Sequence, residues 1–426
     1  MHIHRIIHPV GQGAFYSEHF ILKDGEEVNV VYDCGAEQPW KYALDREISN
    51  FDECKNGVID ALFISHFDED HVNGIYDMVT KQSIKINKVI LPVLEKEKWL
   101  RITDYGIEYH HNYLLILEAL RQSQSQLIFV DPVVEGQDRI SKRYALESLE
   151  GRSLRRNADN IDTDLNDIIV NSQHINSGDY IAIGEDSVEW IYVPIYFKSL
   201  LDKRDEVKDA IEKIPYKGRA MTVKDLENNI GNLPADDLKK VNDAYKSVFN
   251  QNNNKPSMLC YSGPLKLNTA VIDDYMFDSY YPLRYYCFCN WYHEYCRRII
   301  HYHLREKKIA TLYTGDSTLK KWNCIEVASI LNMKGKNLKH ACDLVSYIGA
   351  MQLPHHGSKY NITLKSVEQY LGLDLRLLIT FASFGLGNSY NHPNTGLIKA
   401  LHNKHSLFFG VYELPYTRLE DSLYIE

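Results

Sequence analysis

A short apolar run that ends in a cluster of histidines and aspartates is the most constraining feature of this 426-residue chain. The apolar residues of 59–64 predict a buried strand, and the sequence continues as SHFDEDHVNG. His66 and His71 offer imidazole nitrogens, and Asp68 and Asp70 offer carboxylate oxygens, so four metal-ligand side chains lie close together in the sequence. A strand that ends in a ligand-rich loop presents those ligands at a sheet edge. The segment therefore predicts a metal site built on a sheet.

Strand and helix signals alternate along most of the chain. Apolar runs at Val28–Tyr32, Leu127–Val130 and Ile309–Tyr313 predict strands, whereas Glu108–Gln124 and Thr395–Lys404 have helical spacing. Because candidate ligands follow several of these strands, we predict a fold of mixed α/β layers, in the α+β class.

Composition excludes some classes of protein. The net charge of −9 creates no general attraction for nucleic acid or anionic membranes. No apolar stretch reaches the length of a membrane span, and the start MHIHR lacks the apolar region of a signal peptide. The eight cysteines are scattered, which favours reduced thiols. We therefore expect a cytoplasmic protein without a membrane partner.

Three later segments have the same character as the first. Asp316 follows the predicted strand that ends in TLYTG, the pair His355 and His356 follows QLP, and His392 precedes a proline in a loop. With the first cluster, these segments supply about eight ligands, enough for two metal ions. Two ions about 3.5–4 Å apart can hold a bridging hydroxide and clamp a phosphate or carbonyl oxygen. An aspartate such as Asp316 suits a bridging position because its two oxygens can each face one ion.

Each of these residues also has an ordinary structural explanation. Asp316 alone would serve as a helix N-cap, and His392 as a turn residue before Pro393. Asp33, which ends an earlier predicted strand, fits a structural or supporting position better than that of a ligand. The metal interpretation depends on the four segments occurring together.

Taken together, the four segments resemble the metallo-β-lactamase superfamily. They are most similar to the domain of the competence protein ComEC and its soluble relatives. The resemblance covers a little over half the chain. It also includes the segments VGQG from Val10, DCG from Asp33, Gly178–Pro194 and Asn254–Tyr261.

This resemblance implies a four-layer αββα sandwich with the metal ions at one edge of its two sheets. It also implies a single domain, 1–426, with insertions at 131–175, 198–250 and 264–307. The ligands implied in this way are His66, Asp68, Asp70, His71, Asp316 and His392, with His355 or His356 completing the set.

Asp68 departs from the commoner pattern of the superfamily, which has histidine at that place. A carboxylate makes the ligand set harder, so two divalent ions of either Zn²⁺ or Mn²⁺ are expected. Asp70 and His356 are the expected catalytic residues: Asp70 would orient the bridging hydroxide, and His356 and Ser358 would contact substrate oxygens.

Two further segments carry residues of interest. Cys287, Cys289 and Cys296 invite comparison with a zinc site, but their spacing favours buried thiols in an aromatic insertion. The aromatic and basic residues of 280–308, and a basic cluster at 139–156, could contact a nucleic acid, although a solvated surface explains both.

These observations predict a binuclear metallohydrolase, with a phosphodiesterase or nuclease as the preferred form and a nucleic acid or other phosphodiester as its substrate. Two alternatives stay open. The first is a hydrolase of small esters or phosphoesters, with the insertions capping a narrow pocket. The second is a metal-binding regulatory or assembly subunit that docks a protein partner through the insertions.

Overall fold

The computed structural model describes residues 1–51, 57–94, 110–134, 140–156, 161–184, 189–197, 204–229, 233–248, 257–266, 271–272, 302–303, 305–333 and 342–425. Its strands are β1 His2–Ile7, β2 Gly13–Ile21, β3 Glu27–Ala36, β4 Val58–Phe63, β5 Lys85–Pro92, β6 Gln126–Asp131, β7 Arg143–Ala145, β8 His174–Asn176, β9 Tyr180–Ile183, β10 Trp190–Tyr196, β11 Pro215–Tyr216, β12 Arg219–Ala220, β13 Met258–Pro264, β14 Val271–Ile272, β15 Ala310–Tyr313, β16 Asn332–Met333, β17 Cys342–Asp343, β18 Ile348–Gln352, β19 Ile379–Ser383, β20 Leu407–Val411 and β21 Leu419–Ile425.

Helices lie between many of these strands. The longer ones are α1 Lys41–Ser49, α2 Glu69–Thr80, α3 His110–Ser123, α4 Ile161–Asn171, α5 Arg204–Ile211, α6 Val223–Asn229, α7 Ala235–Val248, α8 Lys321–Leu331 and α9 Thr395–Asn403. Shorter helical turns are Gln38–Trp40, Leu344–Tyr347, Pro354–Gly357, Leu364–Ser366, Val367–Leu371, Leu375–Leu377 and Pro415–Thr417.

Two large mixed sheets form the centre of the fold. The first sheet has the strand order β14-β21-β1-β2-β3-β4-β5-β6-β8, and the second has the order β20-β19-β18-β15-β13-β10-β9-β7. Strands β3 to β6 run parallel, as do β15, β18, β19 and β20. The predicted α+β class is confirmed.

Side chains alternate between two buried faces along the central strands. In β6, Ile128 and Val130 pack into an apolar core shared by the two sheets, whereas Leu127 and Phe129 pack against helices on the outer face. A third apolar cluster lies outside the second sheet and includes residues of α8 and α9. The layers therefore follow the order helix, sheet, sheet, helix, which is the predicted layering.

One buried carboxylate joins the two sheets. Glu18 on β2 accepts hydrogen bonds from Arg5 Nε at 2.7 Å, from the Ser262 hydroxyl at 2.6 Å and from the Tyr313 hydroxyl at 3.1 Å. The hydroxyl of Tyr192 also donates to it. Because a buried charge without partners costs several kcal/mol, this network fixes how the sheets pack.

The segments predicted as insertions have different positions in the structure. Within 131–175, β7 forms an edge of the second sheet, and β8, which begins at His174 near the end of this segment, forms an edge of the first. Within 198–250, the helices α5, α6 and α7 enclose a small apolar core of their own, which includes Val207, Ile211 and Met221. Most of 264–307 lies outside the described residues. In the described ranges, no helix is long and apolar enough to cross a membrane.

Candidate metal centre

The ligand-rich segment lies where β4 ends and α2 begins. Asp68 occupies the residue before the helix, and Asp70 and His71 lie in its first turn. Val72, Ile75 and Met78 bury the apolar face of α2 against the first sheet. The polar residues of the first turn are thereby left at the edge of the sheet, as the sequence predicts.

A glycine on the neighbouring strand permits this close packing. A Cβ atom on Gly35 would lie 2.5 Å from the carbonyl carbon of Asp70 and 2.6 Å from the amide nitrogens of His71 and Val72. All three neighbours are backbone atoms, so no rotamer change relieves the contact. Gly35 therefore sets the distance between β3 and the ligand-bearing turn.

Asp33 holds His71 in one orientation. The Oδ2 atom of Asp33 lies 2.8 Å from Nδ1 of His71, and the same carboxylate accepts hydrogen bonds from the Ser65 amide at 2.7 Å and hydroxyl at 2.6 Å. In the neutral form of the ring, which is the form that binds a metal ion, a proton on Nδ1 leaves the lone pair on Nε2. Asp33 is thus a supporting residue and not part of the metal-capable cluster.

His71 directs its Nε2 atom at Asp316, whose Oδ1 lies 3.2 Å away. Burial lowers the pKa of His71, but the three carboxylates around the ring outweigh burial and hold that pKa well above its usual value. Excess negative charge therefore surrounds this imidazole, which is the environment that a cation occupies in metal sites.

His66 lies on the other side of Asp316. Its Nδ1 atom is 2.9 Å from the Ser65 hydroxyl, and its Nε2 atom is 3.6 Å from Asp68 Oδ2 and 3.7 Å from Asp316 Oδ2. Asp68 is therefore placed at the cluster through His66. Ser65 contacts both His66 and Asp33, so one serine orients two parts of the cluster.

Asp316 enters from the second sheet, in the turn that follows β15. Gln352 accepts hydrogen bonds from the amides of Thr314 at 2.8 Å and Gly315 at 3.1 Å, and Ser257 accepts one from the Asp316 amide at 3.0 Å. Burial opposes ionisation of Asp316, but His355 and His71 outweigh it and hold the pKa of the carboxyl well below its usual value. The aspartate is therefore a buried anion.

The paired histidines occupy a strained turn after β18. His355 and His356 have φ angles of 49° and 53°, and such left-handed conformations are uncommon for residues other than glycine. His356 Nδ1 donates to the carbonyl of Ser383 at 2.8 Å, and its Nε2 atom lies 2.9 Å from Asp70 Oδ2. His355 Nε2 lies 3.5 Å from Asp316 Oδ2. In this left-handed conformation, the His355 ring lies beside Asp316 and the His356 ring beside Asp70.

His392 borders the cluster on a loop that Asn388 shapes. Asn388 Oδ1 accepts hydrogen bonds from the amides of Tyr390 and His392, each at 3.1 Å. The His392 ring centroid lies 5.3 Å from that of His355. Burial and the nearby His355 and His356 lower the pKa of His392 to about 4, so the ring is neutral and able to bind a cation at neutral pH.

Two sets of ligand atoms lie close enough to hold a metal ion. His66, His71 and Asp316 form one set, and Asp70, His71 and His356 form the other, with the atoms of each set within 4.8 Å of one another. The Nε2 atoms of His66 and His71 and the Oδ1 atom of Asp316 are buried, and none of them has a well-aligned hydrogen bond, although His71 Nε2 lies 3.2 Å from Asp316 Oδ1. Unpaired buried polar atoms are costly, and a divalent cation would satisfy all three at once.

The structure brings together all eight candidate ligand side chains. They form one continuous cluster and not two separate sites. His71 belongs to both sets, whereas Asp68, His355 and His392 border them. Sequence reasoning gave no role to Gln352 or Ser383, which fix the turns that carry Asp316 and His356. The only sequence signal for Gln352 and Ser383 is that each is a polar residue at the end of a predicted strand.

Other predicted features lie away from the cluster or outside the described residues. Cys287, Cys289 and Cys296 fall outside them, as does most of 280–308. Of the basic cluster, Arg143 pairs with Glu189, and Arg155 pairs with Asp164 and Asp167. These arginines are thus partly neutralised.

No protein-family model matches the chain, and no curated protein matches it either.

Proposed function

We propose that this protein is a metal-dependent hydrolase of phosphodiesters, with nuclease activity as its main form. The observation that supports this most is the convergence of buried, unpartnered imidazole and carboxylate atoms from both sheets. The motifs that carry these atoms resemble those of the metallo-β-lactamase superfamily in order and spacing. Zn²⁺ and Mn²⁺ both suit a mixed histidine and aspartate set.

The ligands divide between the two sheets. His66, Asp68, Asp70 and His71 would hold the metal from the first sheet, and Asp316 would do so from the second, with support from the three later histidines. Bound divalent ions would supply Lewis-acid polarisation of a phosphoryl oxygen and a lowered pKa for water.

Asp70 and His356 are the chain's own candidates for orienting water and contacting substrate. Their side chains lie 2.9 Å apart, and the carbonyl of Ser383 fixes the His356 ring. Burial raises the pKa of the Asp70 carboxyl, but His71 and His356 outweigh it and hold that pKa below its usual value. Asp70 is therefore an ionised carboxylate suited to accept a hydrogen bond from water and so orient it, and His356 is suited to stabilise Asp70 or to contact a substrate oxygen.

We also propose a cytoplasmic location. The described cysteines Cys34, Cys260, Cys324 and Cys342 are free thiols, and three of them are buried. Free thiols are typical of a reducing compartment.

Metal analysis of the purified protein, combined with a substrate panel, tests the proposal. We expect bound Zn²⁺ or Mn²⁺ and turnover of bis(4-nitrophenyl) phosphate and of nucleic acid. Asp70→Asn and Asp316→Asn should each lower the turnover by about 100-fold or more. The matched control Asp167→Asn, an exposed carboxylate paired with Arg155, should not change it.

Each other outcome has a defined meaning. Turnover of small esters without cleavage of phosphodiesters would favour the small-molecule hydrolase. Full metal occupancy without any turnover would favour the regulatory or assembly subunit. Absence of bound metal under all conditions would contradict the proposal itself.

A further inference from the structure

A group of exposed basic and aromatic residues lies beside the candidate metal centre. We call it the basic–aromatic rim, and its members are Lys320, Lys321, Trp322, Lys359, Tyr360 and Lys365. All six side chains are exposed, and Tyr360, at 68% exposure, has the most exposed ring among the large hydrophobic residues described. A ring that the fold leaves exposed beside lysines and a metal-capable cluster is available to stack on a base of a nucleic acid.

Hydrogen bonds tie Tyr360 to the metal-capable cluster. The Tyr360 amide donates to the hydroxyl of Ser358 at 3.3 Å, and Ser358 follows the strained histidine turn. On the other side, Asn361 donates from its side chain to the carbonyl of Asp316 at 3.1 Å. Tyr360 therefore lies between Ser358 and Asn361, two residues that border the cluster.

A second segment of the rim lies next to the first. Leu319 and Ile362 form a parallel β-bridge, with the Leu319 amide donating to the Asn361 carbonyl at 2.6 Å and the Thr363 amide to the Leu319 carbonyl at 3.1 Å. This bridge brings Lys320 and the start of α8 alongside the segment that carries Tyr360. The lysines of the rim are thereby carried by two adjacent segments of the fold.

Within the described part of the chain, the lysines of this surface have no carboxylate partner. None of its four lysines forms an ion pair with a carboxylate in the described part of the chain, although the net charge of the whole chain is −9. The Lys359 ammonium group lies 5.0 Å from the centroid of the Tyr360 ring. Lys321 also lies over a tyrosine ring, 5.3 Å from the centroid of Tyr370. Cations without a carboxylate partner beside an exposed ring match a ligand that has both phosphates and flat apolar rings.

We propose that the basic–aromatic rim binds a segment of single-stranded nucleic acid and leads its backbone to the metal centre. The inference rests on the proposed phosphodiesterase function and names its substrate. Stacking on Tyr360 requires a base face that is not already stacked in a duplex, so the rim selects unpaired nucleotides. A second exposed tyrosine, Tyr390, lies 5.9 Å from the His392 ring in a stacked orientation and offers another such face.

Fluorescence anisotropy with a labelled oligodeoxynucleotide of about 12 nucleotides tests the proposal. A phosphorothioate backbone slows cleavage, so that binding to the protein as purified can be measured. We expect the single strand to bind at least tenfold more tightly than its duplex. The double variant Lys359→Ala/Tyr360→Ala should lose between about fivefold and 100-fold in affinity. Its salt dependence should fall by roughly 0.7 in log–log slope for the phosphate contact removed.

A matched control carries Tyr42→Ala and Lys217→Ala. Tyr42 is also an exposed tyrosine, and Lys217 also lies over a tyrosine ring, 4.9 Å from the centroid of Tyr216. The control should bind the single strand within twofold of the unchanged protein. Tyr360→Leu, which keeps apolar bulk and removes the ring, provides a second test if the double variant does not fold.

The outcomes separate this inference from the proposed function. Equal binding of single strand and duplex, or unchanged affinity in a folded Tyr360→Leu variant, overturns the inference. If bis(4-nitrophenyl) phosphate is turned over in that case, the proposed function still stands. Tight single-strand binding that depends on Tyr360, without turnover of any phosphodiester, would support the rim and contradict the proposed function.

Discussion

Replacement of Asp33 by asparagine is expected to weaken metal binding without unfolding the protein. Asparagine has nearly the same size, tolerates the φ angle of 54° at this position, and retains an oxygen for the Ser65 amide. It replaces the oxygen that lies 2.8 Å from His71 Nδ1 with an NH₂ group. His71 would then favour the tautomer with its proton on Nε2, the atom that faces Asp316.

The size of the effect follows from the contact that is lost. Loss of a supporting hydrogen bond to a metal-binding histidine lowers metal affinity by about 10- to 100-fold, which corresponds to about 1.4–2.7 kcal/mol. Loss of a charge-assisted hydrogen bond at a buried carboxylate costs about 1.5–3 kcal/mol in folding free energy. A protein of this size with three apolar clusters around its sheets can lose that amount and stay folded.

Isothermal titration calorimetry of metal-depleted protein with Zn²⁺ and Mn²⁺ measures the metal affinity of the variant, and circular dichroism verifies that the variant is folded. Asp60→Asn is the matched control: Asp60 accepts a hydrogen bond from the Asn29 amide at 2.9 Å on the same sheet, away from the cluster. The control should bind metal with unchanged affinity. A folded Asp33→Asn variant with unchanged metal affinity would refute the argument that Asp33 orients a metal-binding His71.

Two further changes test other parts of the structure. Burial raises the pKa of the Glu47 carboxyl, but His8 and Arg418 outweigh burial and lower that pKa to about 2. The ionised Glu47 therefore stabilises the fold fully above about pH 4.5, and this stabilisation disappears as the pH falls through 2. Glu47→Gln should therefore lower the free energy of unfolding in urea by up to about 3 kcal/mol at pH 7, and a difference that did not shrink between pH 5 and pH 2 would contradict this. Gly35→Ala should lower both the melting temperature and the metal affinity, because its Cβ would force α2 away from β3; unchanged values of both would show that the turn is not packed as described.

The sequence predicted the architecture where local pattern and buried packing agree. Apolar runs such as Val58–Phe63 and Ala310–Tyr313 are strands, and the polar residues after them meet at one edge of the sheets. Parallel strands whose carboxyl ends share an edge bring distant motifs together, so the convergence of His66, His71 and Asp316 could be anticipated.

The finer geometry could not be predicted in this way. The carbonyl of Ser383 that orients His356 is a backbone atom, and no residue pattern identifies it. The left-handed φ angles of His355 and His356 contradict local preference and exist only because surrounding packing enforces them. The edge strands β7 and β8 have only three residues each, too few for a period of two to stand out from a polar segment.

The contribution of both sheets to one cluster has a consequence for biosynthesis. Asp70 and His356, whose side chains touch, are separated by 286 positions in the chain. At ordinary rates of translation, the first of them waits roughly 15 to 60 s for the second to be synthesised. During that interval the chain contains only part of each candidate ligand set, because Asp316 and His356 have not yet been made. Under the proposed function, a complete ligand set exists only after the second sheet has docked, so we expect the metal ion to be acquired at that stage.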